Sequence, residues 1–83
     1  MGEIDIVAIK DNILRFIEVK YRKSAEYGEP VWAITKKKQN KIYCVAQFFM
    51  QKNNLSEETA CSFDVISILG NEIHYYFNSY GAM

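Results

Sequence analysis

Eighty-three residues make one small domain, 1–83, and a chain of that size buries only roughly 60–65% of its unfolded surface. Apolar content of 49% and charged content of 24% are those of a globular protein rather than a disordered one, and ten basic residues balance ten acidic ones. There is no run of about 18 apolar residues to span a membrane and no signal-peptide pattern, and the only two cysteines, Cys44 and Cys61, lack metal-ligand spacing, so buried thiols in a reducing cytoplasm are expected.

In chain order, residues 3–9 and 13–20 read as two strands of a β-hairpin, with Asp11 and Asn12 as the turn. A two-residue turn fixes the register, because paired residue numbers must then sum to 23. Asp5 is placed opposite Glu18, and Glu3 opposite Lys20. Opposite residues on one face have Cβ atoms roughly 4.5–5.5 Å apart. Two carboxylates that close repel unless a proton or a divalent cation sits between them. With Lys20 two residues beyond Glu18 on the same face, the pattern is that of a metal-dependent nuclease centre. An acidic pair across a hairpin is more often a solvated face, and a Glu-x-Lys triplet alone carries no weight. The second strand distinguishes this case. Ile13, Leu14, Phe16, Ile17 and Val19 make it apolar on both faces, as in a buried central strand, where unpaired charges are costly.

Residues 21–34 read as an irregular connection broken by Gly28 and Pro30, with Tyr27, Val31 and Trp32 packing it down. Thr35 is a good N-cap, and Ile42, Val45, Ala46 and Phe49 recur at helical spacing as a buried face. Asn53 and Asn54 stop the helix near residues 51–53. A third strand is expected over Cys61–Leu69 and a fourth over 72–77, joined at Gly70 and Asn71 by a turn that favours positive φ. Asp64 sits in an apolar strand and needs partners, and a structural hydrogen bond to the start of the helix is as good a reading as a catalytic role. His74 reads as a surface residue of the last strand. Tyr43 reads as core filling, although with Gln39 it also matches the Gln-x-x-x-Tyr motif of RecB-like nucleases.

Net charge is zero but unevenly spread. Lys20, Arg22, Lys23, Lys36, Lys37, Lys38 and Lys41 fall in a stretch with only Glu26 and Glu29 against them. A basic segment beside a carboxylate pair suits a polyanion whose phosphate is brought to a metal. Three lysines in the first turn of a helix oppose its macrodipole, by a few tenths of a kcal/mol each, unless they and the free amides are aimed at a phosphate.

Gly2-Glu3-Ile4-Asp5 followed by Phe16-Ile17-Glu18-Val19-Lys20-Tyr21-Arg22 resembles the YraN family of small bacterial proteins, placed in the restriction-endonuclease-like PD-(D/E)xK superfamily. Gly28, the stretch from Val31 to Gln39, the strand Phe63-Asp64-Val65-Ile66 and the ending Asn78-Ser79-Tyr80 resemble the family in the same order. The resemblance implies an α/β fold, a restriction-endonuclease-like mixed sheet of about four strands with one main helix, N-terminally truncated relative to the family. It implies cleavage of DNA phosphodiester bonds (RNA being the variant substrate), structure- or end-directed, with Mg²⁺ or Mn²⁺. Asp5, Glu18 and the Val19 carbonyl would hold the metal and Lys20 would act on the attacking water. Glu3 and Gln39 would support them, while Arg22, Lys23, Lys36, Lys37, Lys38 and Lys41 would bind the backbone. The alternative is a module on the same scaffold that binds nucleic acid, or a protein partner, without cutting. Without the helix and strand that the family carries before this motif, a sheet edge would be expected to lie open, and Tyr75, Tyr76, Phe77 and Tyr80 cannot all enter one small core. A homodimer or a partner chain is the expected cover.

Overall fold

The computed structural model describes residues 4–22 and 33–80. The elements are β1 (Ile6–Lys10), β2 (Ile13–Arg22), α1 (Lys36–Lys52), β3 (Cys61–Leu69) and β4 (Glu72–Tyr76). Asp11 and Asn12 take φ of 54° and 62°, the left-handed pair that a twisted two-residue hairpin turn needs. Ile6 therefore pairs with Ile17 and Lys10 with Ile13, the register in which residue numbers sum to 23. β2 also runs parallel to β3, from Leu14–Cys61 to Arg22–Leu69. Parallel neighbours need a crossover, and α1 supplies it. β4 returns antiparallel to β3, giving a mixed sheet in the order β1-β2-β3-β4. Gly70 turns that corner at φ +59°, a conformation glycine adopts without a Cβ clash.

Three strands depart from their expected bounds. β1 runs to Lys10 rather than residue 9 and begins at Ile6 because Asp5 bends out of the ladder, residue 3 lying outside the described residues. β2 extends to Arg22 because β3 continues to pair with it. β4 ends at Tyr76, and Asn78, at φ 49°, turns the chain back toward the sheet. The expected loop contacts of Tyr27, Gly28, Pro30, Val31 and Trp32 lie outside the described residues.

β2 is central, and Leu14, Phe16 and Ile17 are buried. One face of the sheet carries the core. Leu14, Phe16 and Phe63 pack against Ile42 and Ala46 of α1, with Phe49, Met50, Tyr43 and Tyr80 around them. Phe16 stacks on Phe63 at 5.6 Å between ring centroids and meets Phe49 edge-on at 5.9 Å. Thr35 caps α1 by accepting from the Lys38 amide, and Asn53 ends it. Cys44 corrects the sequence reading, since its thiol is exposed. It lies about 200° round the helix from Ile42, on the solvent side. Cys61 is half-buried, and burial raises its pKa.

The opposite face holds a polar network. Asp64 is fully buried. Its partners are the Tyr75 hydroxyl, the Asn78 amide at 2.8 Å and the Arg15 guanidinium at 3.8 Å. They are not at the helix start, because side chains alternate along β3 and Asp64 points away from α1. Arg15 also lies 5.0 Å from the centre of the Phe77 ring. The network ties β4 and the following turn to the sheet, and Ser79 adds a hydrogen bond from its amide to the Phe63 carbonyl. Asp64→Ala is expected to cost roughly 2–3 kcal/mol by leaving these donors unmatched, read as a shift in the urea midpoint. An unchanged midpoint would mean the turn holds itself. Among the described residues, no helix is long and apolar enough to cross a membrane.

Candidate metal and phosphate site

β2 delivers Glu18 and Lys20 to the α1 side of the sheet, beyond the end of the apolar core. A regular hairpin ladder would pair the Val19 amide with the carbonyl of Ile4. Instead the chain bends at Asp5 and the carboxylate takes that place, Oδ2 accepting from the Val19 amide at 2.8 Å. A side chain thus substitutes for a main-chain acceptor. This fixes Asp5 against the strand that carries Glu18.

The two carboxylates are close enough to act on each other. Burial raises the Glu18 pKa most, the ammonium of Lys38 opposes the rise, and the charge and hydrogen bonding of Asp5 add to it. Glu18 therefore gives up its charge at a higher pH than an ordinary glutamate. Lys38 reaches over from the first turn of α1, with Nζ 3.2 Å from Glu18 Oε2. Lys20 Nζ donates to the Ala33 carbonyl at 2.5 Å. Gln39 donates from Nε2 to the Ile34 carbonyl at 2.9 Å, fixing the same short segment. Glu18, Lys20, Ala33, Ile34, Thr35 and Lys38 line a cavity of about 290 Å³.

Of the residues expected at the site, Asp5, Glu18, Val19, Lys20 and Gln39 are gathered here. Glu3 and Lys23 lie outside the described residues. Arg22 follows Lys20 on the same face by strand alternation. Lys36, Lys37 and Lys41 are exposed on α1, and Lys38 turns inward to Glu18. His74 is exposed, 3.9 Å from Glu72. Tyr43 packs edge-on to Phe63 at 4.8 Å and donates to the Tyr80 carbonyl, so it is part of the core. Two features escape a sequence reading. One is the Lys38–Glu18 pair. The other is Tyr80, whose hydroxyl is buried without a hydrogen-bond partner and whose pKa is raised by burial and by the charge of Glu18. Neither has a motif, since both arise from how α1 and the last turn fold over the strands.

The donor set suits a hard divalent cation. It consists of oxygens only, and a positive ion would offset both the burial and the smaller effect of Asp5 that raise the Glu18 pKa. Among the described residues no third His, Cys, Asp or Glu joins the pair.

Residues 1–68 match the model of the uncharacterised protein family UPF0102. A UPF0102 protein of Lachnoclostridium phytofermentans is 45% identical over 99% of this chain and 70% of its own length. Those of Klebsiella pneumoniae and Clostridium botulinum are 38% and 46% identical over 96% and 89% of this chain. The chain covers 63% and 60% of these two relatives, less than two thirds of their length. A family match over most of the chain, repeated in relatives from separate bacterial genera, agrees with the YraN resemblance, and the chain belongs to the UPF0102 family.

Proposed function

We propose that the chain carries a metal-dependent phosphodiesterase centre that hydrolyses DNA, structure- or end-directed, in the cytoplasm. One observation carries the reading. Asp5 and Glu18 adjoin across a fixed hairpin, and Lys20 shares the cavity with Glu18. Asp5, Glu18 and the Val19 carbonyl would hold Mg²⁺ or Mn²⁺. The ion would supply Lewis-acid stabilisation of charge on the phosphate and lower the pKa of a bound water. Lys20, held by the Ala33 carbonyl, would orient the attacking water and stabilise charge on the phosphate. Gln39 keeps the Ala33–Ile34 backbone in place for it. Arg22, Lys36, Lys37 and Lys41, with Lys23, give non-sequence-specific grip on the backbone. Exposed Ile73, Tyr75 and Phe77 offer apolar area for a second copy or a partner chain.

A cleavage panel with Mn²⁺ on branched, single-stranded and duplex DNA tests this. Mn²⁺-dependent cutting of at least one form is expected, and a panel left uncut would contradict it. The second reading is a nucleic-acid-binding module that does not cut. It is favoured by the Lys38–Glu18 pair, which already neutralises one carboxylate. Both readings place Lys36 and Lys37 against phosphates. Changing the two together to Gln should weaken binding alike for all sequences and lower the salt slope by up to ~1.8, about 0.9 per lost contact. An unchanged slope would make them a solvated face.

A further inference from the structure

Two lysines share the candidate cavity in different states. Lys20 is tied to a main-chain carbonyl on the inner side. Lys38 enters from the rim. Its side chain is 49% exposed, whereas that of Glu18 is 12% exposed. Lys38 stands on a flexible four-carbon stem in the first turn of a capped helix. Its ammonium can leave Glu18 for solvent without disturbing the core, since none of the core side chains depends on it. We infer that Lys38 is an exchangeable placeholder for the cation: it neutralises Glu18 until a divalent ion arrives, is then released, and takes the phosphate of the incoming backbone. This rests on the reading that Asp5 and Glu18 bind a metal.

The physical basis is competition for one carboxylate. An ammonium 3.2 Å from Glu18 Oε2 and a divalent ion held by Asp5 and Glu18 would repel each other, so each would lower the affinity of Glu18 for the other. Removing the ammonium should therefore tighten metal binding, the reverse of what loss of a supporting contact does. The released lysine stays on the cavity rim beside Thr35, where a phosphate drawn to the metal would meet it. Lys38 is in this sense a positioning residue, with Glu18 as its alternative partner.

Calorimetric titration with MnCl₂ alone separates the outcomes. Lys38→Gln should tighten Mn²⁺ binding about fivefold, the scale of one partly exposed ion pair. Lys38→Arg should stay near wild type, and Glu18→Gln should lose most of the affinity. Unchanged or weaker binding by Lys38→Gln, with wild type still binding, overturns the placeholder and leaves the metal site standing. No binding by wild type or Lys38→Gln overturns both. The second readout is the salt slope on a non-cleavable phosphorothioate duplex. In EDTA, wild type and Lys38→Gln should share one slope. With Mn²⁺, wild type should exceed the variant by about 0.9, one phosphate contact. Equal slopes under both conditions would overturn the transfer of Lys38 to the phosphate.

Discussion

Glu18→Gln should reduce Mn²⁺-dependent cleavage by roughly 10³-fold, ~4 kcal/mol in activation free energy, with little change in fold. The side chain keeps its shape and loses its charge. That charge is what a divalent ion would bind, and it is placed against Asp5 by a hairpin whose register is fixed at Asp11 and Asn12. The core lies elsewhere, at Leu14, Phe16, Phe63, Ile42 and Ala46. Thermal unfolding by circular dichroism should therefore move by only a few degrees, on the order of what ~1 kcal/mol does in a domain of this size. The check is single-turnover cleavage of a labelled substrate beside the melt. Retained cleavage with an intact fold would remove Glu18 from the mechanism.

The largest expected loss of stability is at Phe16. Its ring is fully buried, stacked on Phe63 and edge-on to Phe49, so it joins β2 to both β3 and α1. Phe16→Ala should cost about 3–5 kcal/mol, much of the stability of a small single domain. The variant should be largely unfolded in water or show a sharply lowered urea midpoint. A loss under ~1 kcal/mol would mean that α1 does not pack on the sheet as described.

The elements were legible where local chemistry decides them. Asp11 and Asn12 set the hairpin register, Thr35 set the helix start, and Gly70 marked the last corner. The apolar run of β2 identified the central strand because only a strand covered on both faces tolerates it. Less legible was anything that depends on the third dimension. Asp64 was readable as buried, but its partners, Arg15, Tyr75 and Asn78, come together only once β4 has folded back. Cys44 looked buried by company, yet helical geometry turns it outward. Asp5 was placed opposite Glu18 by arithmetic, while the bend that gives its carboxylate the Val19 amide was not. Lys38 was one lysine of three in sequence, and only the packing of α1 over β2 singles it out.

The most direct measurement of the central claim is paramagnetic broadening of assigned amide resonances by trace Mn²⁺. Asp5, Glu18 and Val19 should broaden first, followed by Ala33 and Ile34 across the cavity, and the effect should vanish in Glu18→Gln. Broadening centred on other residues, or surviving in that variant, would contradict a divalent-cation site built by Asp5 and Glu18.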